Sequence, residues 1–252
     1  MPPDNKGDLP HTLIHLHNPK TAGSSLNALL ASQFKMFEKM TLGDDSLGRL
    51  RSLPKVKKRK LKLLFGHMSY GVHRILPQEC LYLFVLRLPG ERLLSYYNYI
   101  GRKKEHLLHD AVKGNDLDFG SFLEYAAAGP RIRTAFDNAQ LRRIAGNMTP
   151  SHLGDEKALL AQAFSNIFAS NCIYGLTEDF NGFQRQLVAR GLLPEENPIR
   201  LNAAPQKSSL DTAVTALTPR QRDLYNDFVR WDEMLYSVCR KLSYSGAEKL
   251  AR

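Results

Sequence analysis

The segment Leu81–Leu86 is apolar at every position, and Pro89 follows it closely. A strand that is apolar on both faces must be covered on both faces, which is the situation of a central strand in a parallel sheet. The chain around it repeats the theme. Thr12–His17 reads as a strand, with Ile14 and Leu16 alternating with His15 and His17. Leu63–Phe65 and Cys172–Leu176 are further strand candidates. Helical periodicity fills the spaces between them. Ser24–Phe37 carries Leu26, Leu29, Leu30, Phe34 and Phe37 at helical spacing, and a helix over Glu91–Ile100 follows Pro89. Gly43–Lys60 is polar and basic, irregular or partly helical. Strand and helix in alternation predict an α/β domain with a mainly parallel sheet.

The second half is helix-rich. Asp118 can cap a helix carrying Phe122, Leu123 and Ala126, and Asp155 another carrying Leu159, Leu160, Ala163, Phe164 and Ile167. Phe180, Phe183, Leu187 and Val188 mark a helix that stops near Gly191. Asn197–Ser209 holds two prolines and reads as a loop. Thr218 and Gln221 form a capping box around Pro219. The stripe Leu224, Phe228, Trp231, Leu235, Val238 and Leu242 then predicts a core-facing last helix.

Length and composition bound the answer. The 252 residues fit one domain with a sizeable core, and 43% hydrophobic content excludes a mainly disordered chain. No apolar run approaches the roughly 20 residues of a membrane-spanning helix, and no secretory leader is visible in Met1–Pro10. Cys80, Cys172 and Cys239 are too few and too scattered for a disulfide framework, and they read as small core residues of a reducing compartment. A net charge of +10 predicts an anionic partner. Lys55, Lys57, Lys58, Arg59, Lys60 and Lys62 form the densest run, without interleaved aromatic residues, and read as a solvated face. Zinc-finger, RNP and basic-zipper signatures are absent, so nucleic acid is not the expected partner.

The chemistry concentrates at His17–Leu26, HNPKTAGSSL, between a strand and a helix. Unpaired N–H groups and the helix dipole favour anions there. Gly23 lets backbone approach an oxyanion, Thr21, Ser24 and Ser25 add hydroxyls, and Lys20 adds charge. A nucleoside-triphosphate P-loop would read G-x-x-x-x-G-K-[ST]. Here the lysine precedes the glycine, which disfavours that class.

PKTAGSSL resembles the 5′-phosphosulfate loop of sulfotransferases that use PAPS (3′-phosphoadenosine 5′-phosphosulfate), closest to the carbohydrate group that includes heparan sulfate 2-O-sulfotransferase. VLRLPGERLLSYYNYI, Val85 to Ile100, resembles that family's 3′-phosphate segment, although the family commonly has Asp where this chain has Leu88. FGHMSYG, FDNAQLRRIAG, YGLTEDFNGFQRQL, the RLN loop at Arg200–Asn202 and WDEMLYSVCRKL also match, in family order.

The resemblance implies a P-loop-like sulfotransferase fold, with one catalytic domain over residues 1–252. It implies transfer of a sulfuryl group from PAPS to a carbohydrate hydroxyl: the acceptor oxygen attacks sulfur and 3′,5′-ADP leaves. Lys20, Thr21, Ala22, Gly23, Ser24 and Ser25 then cradle the 5′-phosphosulfate, with Lys20 stabilising the leaving phosphate. Arg87 and Ser95 hold the 3′-phosphate, and Arg200 and Lys207 lie on a loop closing over the nucleotide. His67 is the implied base, in a segment where the heparan sulfate enzyme has a second histidine at the position of Phe65. His73 is the reserve. Asn138, Gln140 and Arg142 either face the acceptor or cap neighbouring elements. No metal-ligand spacing occurs, so metal-independent chemistry is expected. An acidic glycan would suit the positive charge. A nucleotide-dependent phosphotransferase and a non-catalytic glycan binder are the alternatives. The expected compartment is the cytoplasm, unless the chain is the trimmed catalytic domain of a Golgi enzyme.

Overall fold

The computed structural model describes residues 11–43, 46–196 and 209–250, with side chains through 243. Five strands build one sheet: β1 (Thr12–Leu16), β2 (Lys39–Leu42), β3 (Leu63–Gly66), β4 (Cys80–Leu86) and β5 (Cys172–Leu176), in the order β2-β3-β1-β4-β5. Every pairing is parallel, with Ile14 beside Leu64 on one side and Tyr82 on the other. The first helices are α1 (Gly23–Ala31), α2 (Ser46–Ser52), α3 (Lys55–Arg59), α4 (Pro89–Arg102), α5 (His109–Lys113) and α6 (Phe119–Ala128). They are followed by α7 (Pro130–Arg133), α8 (Ala139–Ala145), α9 (Glu156–Ile167), α10 (Phe180–Ala189), α11 (Leu210–Thr215) and α12 (Pro219–Leu250).

Strand alternation sorts the core into two layers. Ile14, Leu64, Tyr82, Phe84 and Leu86 face one side, where Leu141 and Ile144 of α8, Leu159 and Ala163 of α9, and Leu235 and Tyr236 of α12 cover them. Leu13, Leu63, Leu83 and Val85 face the other side, against Leu26 and Leu30 of α1 and Phe183 and Leu187 of α10. A third cluster joins α4, α6 and the start of α12 through Leu93, Leu94, Phe122, Leu123 and Phe228. Among the described residues, no helix is long and apolar enough to cross a membrane.

The elements depart from the sequence reading at several places. The helix expected to reach Phe37 ends at Ala31, and Phe37 is 64% exposed in a following 3₁₀ turn. Edge strand β2 was not expected. Asp118 caps α6, its carboxylate accepting from the Ser121 N–H at 2.7 Å. Asp155 precedes α9 without a side-chain capping bond. Thr218 and Gln221 exchange the reciprocal bonds of a capping box, at 3.1 and 3.3 Å. Val238 and Leu242, expected in the core, are 38% and 47% exposed. Cys172 is half-buried, whereas Cys80 and Cys239 are buried. The basic run lies along and just after α3, and its lysines are mostly exposed.

Candidate functional site

The strand order places a switch point between β1 and β4: the chain leaves β1 towards β2 on one side, and leaves β4 towards β5 on the other. Ligand crevices in open parallel sheets form outside the carboxyl ends of strands at such points. Three segments meet there. They are the loop after β1, His67 after β3, and Arg87 after β4.

The loop after β1 is tightly wound. Lys20 and Ala22 both have positive φ, at 69° and 60°. Neither is glycine, so the surrounding structure must hold this backbone. Thr21 is buried, its hydroxyl donating to the Asn18 carbonyl at 2.8 Å, and Asn18 in turn donates to the Val85 carbonyl at 3.3 Å. Thus the loop is pinned to both itself and β4. Gly23 opens α1 at a close approach: a Cβ there would overlap the His17 ring. The glycine therefore makes room for an imidazole, where the sequence suggested room for an oxyanion. Ser25 is buried and Ser24 exposed in the first turn of α1.

The histidines form a stack. His15, His17 and His67 have ring centroids 5.8 and 4.6 Å apart in succession. Asn27 of α1 serves two of them. Its Oδ1 lies 2.5 Å from His15 Nδ1, and its Nδ2 lies 3.4 Å from His17 Nδ1. Burial pushes His15 down to about 4, despite the bond to Asn27. His17 falls to about 2, from burial and then from the neighbouring His15, His67, Arg143 and Lys20. Both rings are therefore neutral at pH 7. His17 Nδ1 accepts from Asn27, so its proton sits on Nε2.

His67 follows Gly66, whose φ of +133° turns the chain out of β3 against the Leu42 carbonyl. His67 Nδ1 lies 3.3 Å from the carbonyl of His17. A carbonyl only accepts, so Nδ1 carries the proton and Nε2 keeps its lone pair. The ring is solvent-accessible. That is the tautomer and exposure a proton acceptor needs.

Arg87 ties the crevice together. Its guanidinium donates to the Lys20 carbonyl at 3.2 Å and meets Glu91 at 3.4 Å. Its own peptide is clamped by Gln140, which accepts from the Arg87 N–H at 3.0 Å and donates to the Arg87 carbonyl at 2.9 Å. Lys20 Nζ sits 4.3 Å from the Tyr99 ring centre, a cation–π contact. Burial, then Arg102 and Arg87, lowers Lys20 to about 8. Ser95 is half-buried on α4, one turn beyond Glu91. Tyr96, Tyr97 and Tyr99 are all half-buried.

Other expected site residues lie elsewhere or are engaged. His73 contacts the hydroxyl of Tyr82, near the start of β4, at 3.0 Å. Asn138, Gln140 and Arg142 are buried to 1% exposure or less. Asn138 donates its N–H to Phe228 and its amide to the Asp227 carbonyl, and its Oδ1 accepts from the Trp231 and Asp232 N–H groups. Those are the groups that adjacent turns of α12 would pair with one another. Arg142 bonds Glu156, the Asp137 carbonyl and the His152 carbonyl. These polar atoms are committed to the chain's own scaffold, the capping alternative raised by the sequence, and none is open to an acceptor. Arg200 and Lys207 lie outside the described residues.

Sequence reasoning grouped Tyr99 with Tyr96 and Tyr97 as an aromatic cluster, and it missed the roles of His17 and Asn27. Each acts through a neighbour that only the folded chain supplies. Among the described residues, no cluster of three metal-ligating side chains occurs.

No family model and no curated protein matches the chain. Among solved structures it is similar to mouse sulfotransferase SULT7A1 complexed with PAP, at 14% identity and a TM-score of 0.43, over 88% of this chain and 85% of that one. It is also similar to a sulfotransferase from Alicyclobacillus acidocaldarius, at 14% identity and a TM-score of 0.43, over 89% of this chain and 100% of that one. Both likenesses are loose.

Proposed function

We propose that this chain is a sulfotransferase that moves a sulfuryl group from PAPS to a hydroxyl of a carbohydrate acceptor. The observation that carries the reading is the Arg87–Lys20 contact. It brings two anion-binding motifs, 67 residues apart in sequence, within one hydrogen bond of each other. A nucleotide phosphorylated at both ends needs two such groups in one crevice.

The residues present fit that nucleotide. Lys20 is depressed first by burial and then by the nearby Arg102 and Arg87, a concentration of positive charge that an anion would relieve. Bound PAPS would supply the activated sulfuryl group. Ser24, exposed in the first turn of α1, offers its hydroxyl to the 5′ end, the backbone of Thr21, Ala22 and Gly23 shapes the cradle, and Lys20 is the countercharge. Arg87 and Ser95 serve the 3′-phosphate. His67 takes the acceptor's proton at Nε2, held in that tautomer by the His17 carbonyl. The carbohydrate class rests on the order of the later motifs and on the +10 charge, which suits an acidic glycan.

The test is calorimetric titration with 3′,5′-ADP, against 5′-AMP and ATP, without added metal. The expected result is selective binding of 3′,5′-ADP. A preference for ATP would favour a phosphotransferase, and no nucleotide binding would favour a glycan binder. In the same titration, Arg87→Ala should weaken 3′,5′-ADP by about tenfold or more. Because Arg87 also steadies the Lys20 peptide, 5′-AMP is the control. An equal loss for both nucleotides would remove Arg87 from the 3′-phosphate.

A further inference from the structure

The outer face of α12 carries an ordered pattern that the proposed reaction leaves unused. Asp227, Arg230, Met234, Val238 and Lys241 recur at steps of three, four, four and three, and all are exposed. At 3.6 residues per turn they share one narrow stripe. Met234 and Val238 are 43% and 38% exposed. Beside them α9 contributes Leu160 and Phe164, which with Val229, Met234 and Val238 line a shallow apolar groove. Phe168, just past α9, stacks on Phe164 at 5.8 Å and is 44% exposed, which extends the patch. Contiguous exposed apolar surface of this kind marks an interaction site.

Glu233 also lines the groove, and the charges at the two ends of the stripe are self-complementary. Asp227 lies seven residues before Met234, and Lys241 seven residues after it. A second α12 laid antiparallel, with its two-fold axis at Met234, sets Asp227 of each chain opposite Lys241 of the other. The same operation lays the aliphatic stem of each Arg230 against Val238. A parallel arrangement would instead oppose like charges at both ends.

We propose that α12 and α9 form an isologous interface between two copies of this chain, related by a two-fold axis at Met234. The interface lies on the face of α12 away from the sheet. Asp232, on the inner face of the same helix, is buried and accepts from the Gln140 and Leu141 N–H groups.

Sedimentation velocity over about 1–100 µM tests it. The full chain should sediment at twice 28.5 kDa. Asp227→Lys alone leaves lysines facing lysines, and Lys241→Asp alone leaves aspartates facing aspartates, so each variant should be monomeric. Mixed together they should form a heterodimer, because each restores opposite charges at both ends. Met234→Asp should also be monomeric. Far-UV circular dichroism melts matching wild type would show that the variants fold. A monomeric wild-type chain at 100 µM, a dimer unmoved by the single charge reversals, or a mixture that stays monomeric would each overturn the proposal.

Discussion

His67→Ala is expected to lower kcat by about 10²–10⁴-fold while 3′,5′-ADP binds as it does to the wild type. The split follows from where the histidine sits. It follows β3, which lies on the opposite side of β1 from β4 and Arg87, and it is outside the loop that would hold phosphate. Its Nδ1 donates to the His17 carbonyl, which fixes the tautomer in which Nε2 is the basic nitrogen. The neighbouring His17 is a poor substitute. Burial holds it near 2, too weakly basic to compete for a proton at neutral pH. Comparing steady-state rates with 3′,5′-ADP titrations reads both quantities. Unchanged kcat would remove His67 as the base. Equal losses in rate and nucleotide affinity would make it a support for the loop.

The second large effect is on stability. His15 titrates near 4 and His17 near 2 in the folded chain, against about 6.5 when exposed. Above pH 6.5 folded and unfolded forms are both neutral and nothing is lost. As pH falls below 6.5 the unfolded chain binds protons that the folded chain refuses, so stability falls. At pH 5 the loss is about 2 kcal/mol for each ring, a large share of the roughly 5–15 kcal/mol that holds a domain folded. His73 and His106, both lowered mainly by burial, act in the same direction. Urea unfolding at pH 7.0, 6.0 and 5.0 measures it, with Asp232 and Glu233, both raised first by burial, acting in the opposite sense. His17→Gln should flatten the dependence. Equal midpoints at all three pH values would mean that the rings are protonated in the fold.

What could be read in the sequence was local. The strand–loop–helix around HNPKTAGSSL and the arginine closing β4 are contiguous signals, and the structure brings them to one sheet edge. Strand β2 escaped because KMTL is short and lies on an edge, with little apolar alternation to announce it. Phe34 and Phe37 kept helical spacing beyond the true end of α1. Spacing alone cannot tell a helix from a turn that leaves Phe37 in solvent. The histidine stack was invisible for a different reason. His15 and His17 alternate as any strand residues would, and only α1 supplies the Asn27 that joins them. Likewise Asn138, Gln140 and Arg142 have the polarity of site residues, and their role as scaffold depends on partners up to 94 positions away.

The close approach of Gly23 to His17 also constrains how this loop can vary. A side chain at position 23 needs the space of the imidazole, and the imbalance cannot be relieved by a rotamer change in a ring that is already buried. Positions 17 and 23 are therefore one unit of inheritance. A lineage that replaces the glycine must first shrink the histidine, and it would then lose the ring that stacks against His67.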